Sequence, residues 1–231
     1  MIEEPELYLG PQAQRHLHRL IRRLARGGNQ VLYSTHAAVF LSVHRLEELA
    51  LVRHDPRRGT TVLQPSALSD RESFRAFAEL DAERAELFLA RAALLVEGRS
   101  EKLAFPFVFE AVGADADREA VAIVDCGGKG NLPLYARICN ECGIPYIVVH
   151  DRDAPRGKRP VESERVTNRR IAEAAGRRRT VQLVPDFEAV AGLRGRREKA
   201  EQAWRHFSTN GGTPPEQLAE AVRRVVRAAR R

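Results

Sequence analysis

The run AALLVEGRSEKLAF at residues 92–105 sets the architecture. An apolar segment of strand length, 92–96, is ended by Glu97-Gly98, and SEKLAFPFVFEAVG continues with helical character. Three further strand-length runs follow: VAIV at 121–124, YIVV at 146–149 and TVQLV at 180–184. Helix-like stretches separate them at about 131–142 and 162–175. Apolar strands alternating with helices are buried on both faces, so the pattern predicts an α/β fold with a parallel sheet flanked by helices. Ligands of such sheets sit beyond the carboxyl ends of the strands.

The acids fall at those ends. Glu97 follows the first strand of this unit, and Asp151 and Asp153 follow the third, YIVVH. If a helix starts near Gly98, Glu97 and Glu101 lie one turn apart on one side. The i, i+2 spacing of Asp151 and Asp153 is strand-like and predicts that both carboxylates point the same way. Four converging carboxylates repel one another unless divalent cations neutralise them, and an all-oxygen set favours Mg²⁺ or Mn²⁺ over zinc. Two ions about 4 Å apart suit phosphodiester hydrolysis. The bland alternative is a solvated Asp-Arg-Asp loop and a helix start with dipole-favoured acids.

Upstream, Leu17, Leu20, Ile21 and Leu24 share a helical face within 12–26, Gly27-Gly28 stops that helix, and VLY at 31–33 reads as a buried strand ending at Ser34-Thr35-His36. Another helix-like stretch follows, then a strand, LALVRHD at 49–55, and a turn at Pro56-Arg57-Arg58-Gly59. From Ser69 to about Arg91 the chain reads as one connecting helix with Phe74, Phe77, Leu80 and Leu87 on one face. Downstream, the last forty residues lack strand-like runs and read as a small helical region.

Bulk properties narrow the classes. No stretch approaches the roughly 20 apolar residues of a membrane span, and Met1-Ile2-Glu3-Glu4 is no secretion signal, so a cytoplasmic protein with no membrane association is expected. Cys126, Cys139 and Cys142 are too few for a disulfide framework, and the Cys139-x-x-Cys142 pair reads as packing rather than zinc or redox chemistry. The net charge of +7 is uneven: residues 154–231 hold 19 Lys/Arg against 9 Asp/Glu, whereas residues 1–153 hold 19 against 22. A basic excess beside an acidic cluster would draw DNA towards a metal centre.

LLVEGRSEK at 94–102 and IVVHDRDA at 147–154 resemble the two acidic signatures of the Toprim domain. IEEPELYLGP at 2–11 resembles the Walker B region of ABC-type ATPases, and VLYSTHAAVF at 31–40 their switch-histidine segment. An ATPase followed by Toprim is the arrangement of the OLD (overcoming lysogenisation defect) nucleases, which VDCGGKGNLPLY at 124–135 and PDFEAV at 185–190 also resemble. The resemblance implies four segments: 1–66, the C-terminal part of an ABC-type ATPase without a Walker A loop; 67–91, a connecting helix; 92–190, a Toprim catalytic domain; and 191–231, a basic helical region.

It also implies a site. Glu97, Glu101, Asp151 and Asp153 would be catalytic and would hold the ions, joined by Glu188 from PDFE. Lys129, in the turn Gly127-Gly128-Lys129-Gly130, and Lys158 would contact DNA. Tyr8-Leu9-Gly10-Pro11 departs from the family's Tyr-Leu-His-Pro. The lysine expected near Asn210-Gly211-Gly212-Thr213-Pro214 is missing, which leaves Lys158, Lys199 or an arginine to substitute. Glu4 and His36 would match the acid and histidine of an ATPase site, but ATPase activity is not expected from this stretch alone.

The resulting expectation is an Mg²⁺- or Mn²⁺-dependent DNA endonuclease with a two-ion centre, and a homodimer through the ATPase or helical segments. The competing class is a catalytically weak ATPase/Toprim remnant that binds DNA or a partner through its basic tail. A third, topoisomerase-like chemistry, needs a nucleophilic tyrosine, and nothing in the surroundings of Tyr8, Tyr33, Tyr135 or Tyr146 recommends one.

Overall fold

The computed structural model describes residues 1–41, 45–55, 59–154, 158–193, 198–209 and 212–230. The chain divides into two units, Met1–Leu89 and Ala90–Arg231.

The first unit starts with β1 (Ile2–Glu3) and α1 (Pro11–Arg26), whose proline sits at the helix start, where its preset φ is accommodated. Gly27 caps α1, and Gly28, at φ 87°, takes a left-handed conformation suited to glycine. Of the predicted inner face of α1, Ile21 is buried and Leu20 and Leu24 remain exposed. The VLY segment differs from expectation too. Only Tyr33–Ser34 (β2) pairs, in parallel with Ile2 and Glu3, and Leu32 is exposed, since among the described residues no further strand joins this two-residue ribbon. Aromatic packing organises this region: the Tyr33 hydroxyl donates to the Phe40 carbonyl at 2.7 Å, and His18 and Tyr33 pack on the Phe40 ring.

The helix-like stretch after His36 resolves into single 3₁₀ turns at Ala38–Phe40 and Leu46–Glu48. β3 (Leu51–Asp55) pairs antiparallel with β4 (Gly59–Leu63), a return strand that the sequence reading missed. Of the turn expected between them, residues 56–58 lie outside the described residues. The predicted connecting helix is broken: α2 (Asp70–Glu79) opens with a Ser69/Glu72 capping box, Leu80 turns extended, and Asp81 caps α3 (Ala82–Ala85) by accepting from the Arg84 N–H at 2.8 Å. Leu80 and Leu87 are buried and Phe74 is exposed, while the Phe77 side chain lies outside the described residues.

The second unit carries β5 (Ala92–Val96), α4 (Arg99–Ala111), β6 (Val121–Asp125), α5 (Leu132–Glu141), β7 (Tyr146–Asp151), α6 (Glu162–Ala175), β8 (Thr180–Leu183), α7 (Phe187–Ala191), α8 (Lys199–Thr209) and α9 (Glu216–Ala229). Its four-stranded sheet is parallel in the order β6-β5-β7-β8. β5 is wholly buried, as its unbroken apolar run predicted. Strand alternation divides that run. Ala92, Leu94 and Val96 face a core with Phe105, Phe109, Phe207, Val222 and Val225, from α4, α8 and α9. On the other side, α5 and α6 pack together and α5 packs on β5 and β7, with Leu132, Tyr135 and Ile138 fully buried. Truncating one such residue, Leu94→Ala, would cost about 2–5 kcal/mol.

The three cysteines are buried thiols. No helix among the described residues is long and apolar enough to cross a membrane.

Candidate metal centre

β5 and β7 lie side by side, with Leu95 opposite Val148, so their carboxyl ends deliver Glu97 and Asp151 to one edge of the sheet. Gly98, extended at φ −160°, caps α4 and puts Glu101 in its first turn, where the peptide N–H groups favour an acid. One carboxylate oxygen from each of Glu97, Glu101 and Asp151 lies within 4.8 Å of the other two. The Asp151 N–H donates to Glu97 Oε1 at 2.7 Å, and Asp151 Oδ1 accepts from the Phe187 N–H at 2.8 Å. The group is therefore held by β5, β7 and α7 together.

Burial, reinforced by neighbouring carboxylates, pushes all three carboxyls upward. Glu97 is raised to about 7, mainly by burial and against the Asp151 N–H bond. Burial likewise raises Glu101 to about 8 and, reinforced by Glu97 and Glu101, Asp151 to about 9. His150, 2% exposed, is depressed to about 4 by burial and is neutral at pH 7. An oxygen-only donor set that resists ionisation until a cation arrives fits a hard divalent ion such as Mg²⁺ or Mn²⁺.

Asp153 and Glu188 stand apart from this group. Asp153 has φ 55°, so the strand-like alternation expected to align it with Asp151 is broken, and its carboxylate pairs with the Lys129 ammonium. Lys129 also reaches Glu164, at 2.8 Å, and its side chain is only 11% exposed. Gly127 and Gly128, both at positive φ, form the strand-to-helix turn expected of GGKG and bring Lys129 there. Glu188 pairs with Lys199 at 2.7 Å. Both acids still raise the Asp151 carboxyl through space. Lys158 is exposed, and its carbonyl accepts from the Arg152 guanidinium at 3.2 Å. Residues 210 and 211 of the stretch in which a lysine was missed lie outside the described residues.

Sequence reasoning overlooked Glu164, one of two acids in the first turn of α6, whose position has an adequate explanation in the helix dipole. It also overlooked Glu6. In the first unit Glu6 is 7% exposed, and its Oε1 accepts from the Thr35 hydroxyl at 2.5 Å and from the N–H groups of His36 and Ala37 at 2.9 and 3.1 Å. His36 Nε2 lies 3.3 Å from Glu4.

Part of the basic excess of the last third, the arginines of α9, lies away from the acids. α9 starts where Gln217 accepts from the Val184 N–H, past the carboxyl end of β8, and finishes where Arg230 pairs with Glu119, just before β6. Its arginine-rich second half thus lies at the amino-terminal edge of the sheet.

Comparison with known proteins adds two family matches: "Overcoming lysogenization defect protein-like, TOPRIM domain" over residues 88–153, and "AAA ATPase domain" over residues 1–41. The chain is 37% identical to the OLD nuclease of Thermus scotoductus, over 98% of this chain and 48% of that protein. It is 28% identical to the Old nuclease of Escherichia phage P2, over 66% of this chain and 27% of that protein. The chain thus spans about half and about a quarter of their lengths. Among solved structures, the C-terminal region of the Xanthomonas campestris pv. campestris OLD protein superposes with a TM-score of 0.47 at 16% identity, over 63% of this chain and 96% of that one.

Proposed function

Because this chain belongs to the OLD family, we propose that it is a divalent-metal-dependent DNA endonuclease whose centre is the Toprim acid group. The observation that carries the reading is the convergence of Glu97, Glu101 and Asp151 within 4.8 Å at one sheet edge. Mg²⁺ or Mn²⁺ held there would activate water and offset charge building on the scissile phosphate, and a second ion beside Asp153 and Glu188 would extend the same chemistry to the leaving oxygen.

The chain's own residues divide the work. Glu101, the most buried of the three, and Asp151 would hold the cation; Glu97, tied to the Asp151 N–H, would hold it or take a proton from water. Lys129 balances the charge of Asp153 and Glu164. Lys158, exposed near the same edge, is assigned to the DNA backbone, and Lys199, next to Glu188, to the cationic role of the lysine missing from 210–214.

The test is incubation of the purified protein with supercoiled plasmid. Nicking that requires Mg²⁺ or Mn²⁺ and disappears in Asp151→Ala is the expected result. Absence of metal-dependent nicking, or undiminished nicking in that variant, overturns the reading and leaves a DNA- or partner-binding protein.

A further inference from the structure

The strongly charged surface that the metal centre does not use lies at the amino-terminal edge of the sheet. Arg177, Arg178 and Arg179 form a single 3₁₀ turn between Gly176, at φ 76°, and β8. The turn is firmly anchored. Arg179 lies over the Tyr146 ring, 4.9 Å from its centre, and donates to Asn140 at 2.6 Å, while Asn140 donates to the Ala174 carbonyl at 3.0 Å. α9 joins it from the next layer: the Arg224 guanidinium donates to the carbonyls of Arg178 and Thr180. One turn further along α9, between Arg224 and the Arg230–Glu119 pair at the same edge, Arg227 is exposed.

Acids near this edge are largely engaged: Glu220 by Arg224 and Glu119 by Arg230. Glu141 and Glu173, at the ends of α5 and α6, are the other acids close to the turn. Arg177, Arg178 and Arg227 are exposed, and their side chains make no ion pair or hydrogen bond among the described residues. Guanidinium groups held on a rigid turn and helix repel one another, and a polyanion with evenly spaced phosphates relieves that repulsion with bidentate contacts.

We propose that Arg177, Arg178 and Arg227 form a second contact surface for the phosphodiester backbone of DNA, on the sheet edge opposite the Glu97–Glu101–Asp151 group. The strands separate the two edges by about 15–20 Å, so DNA held at the arginines is a flanking or second segment rather than the stretch being cut. The inference rests on the proposed function only for the identity of the polyanion.

The experiment is fluorescence anisotropy of the whole protein with a labelled duplex of about 30 base pairs, in EDTA so that no cutting occurs, between about 50 and 200 mM salt. The triple variant Arg177→Gln/Arg178→Gln/Arg227→Gln should bind at least about tenfold more weakly, with the slope of log K against log salt reduced by about 2–3. A control triple on α1, Arg15→Gln/Arg19→Gln/Arg23→Gln, lowers net charge equally on exposed residues of the other unit and should change neither quantity. Unchanged binding by the first triple, or equal weakening by the control, overturns the proposal. Circular-dichroism melts keep loss of fold distinct from loss of contact. Since binding is read without metal, a protein that binds through this edge but never nicks sinks the proposed function alone, and one that nicks but ignores the substitutions sinks this inference alone.

Discussion

The backbone N–H of Asp151 donates to Glu97 Oε1 at 2.7 Å across 54 residues of sequence. The bond joins the ends of two adjacent parallel strands and fixes one carboxylate by the backbone of another acid. Glu97→Gln keeps an oxygen that can accept this bond and removes the charge. Plasmid nicking should fall at least a hundredfold, beyond the roughly 10–100-fold typical of losing a group behind a metal ligand. A variant within about threefold of wild type would show that the Glu97 charge does no chemistry.

The same crowding predicts a trade between stability and activity. In metal-free protein Asp151 carries the largest upward displacement of the three acids, from burial and then from Glu97 and Glu101. Asp151→Asn keeps an acceptor for the Phe187 N–H and relieves the repulsion. Melts in EDTA at about pH 9 should rise by a few degrees, on the order of 1–2 kcal/mol, while nicking is lost. A lower melting temperature together with normal secondary structure would contradict the picture of a strained acid group.

The direction of the pH effect follows from the sign of the shifts. Glu97, Glu101 and Asp151 bind protons more tightly in the folded protein, near 7, 8 and 9, than their ordinary values of 4.5, 4.5 and 3.8. Their contribution to stability is therefore complete below about pH 4 and is lost as pH rises through 7 to 9. Divalent ions bind the deprotonated forms and release protons, so stabilisation by Mg²⁺ or Mn²⁺ should grow over the same range. Paired melts with EDTA and with Mn²⁺ at acid, neutral and alkaline pH check this. A metal effect that shrinks with rising pH would exclude these carboxylates as the binding group.

Lys129 offers a separate test, because its ammonium serves two acids beside the centre. Lys129→Met leaves Asp153 and Glu164 without that cation and removes a positive charge that lowers Glu97 through space. Titration calorimetry should show Mn²⁺ binding roughly tenfold tighter. The salt slope of DNA binding should stay as in wild type, since a buried, doubly paired ammonium makes no phosphate contact. A slope reduced by about one would instead assign Lys129 to the backbone.

Where the signal was local, the sequence displayed it. β5, β7 and the Gly98 cap lie where apolar runs and a glycine put them, and the strand ends carry Glu97 and Asp151 to one edge. What stayed hidden depended on tertiary neighbours. The left-handed Asp153 breaks an alternation that its i, i+2 spacing implied, and Lys129 and Glu164, 35 residues apart, give no mutual signal. The return strand β4 escaped because GTTVL is short, polar and largely exposed. Composition counted the arginines of the last third but could not say that α9 carries its own share to the edge away from the acids.

Glu6 closes the argument for the first unit, where sequence pattern drew attention to Glu4 and His36. Burial pushes its carboxyl up, yet the Thr35 hydroxyl and the surrounding N–H donors outweigh that and hold it below the usual range, so it is charged at neutral pH. A buried carboxylate accepting from three successive residues fixes the loop that carries His36. Glu6→Ala leaves two backbone donors without this acceptor, at a cost on the order of 1–3 kcal/mol. Hydrogen exchange at His36 and Ala37 should accelerate at least about tenfold while the amides of β5 and β7 keep wild-type protection. If both loop amides exchange at the wild-type rate, the loop is held by something other than Glu6; if β5 and β7 also lose protection, the residue supports the whole chain rather than the histidine loop.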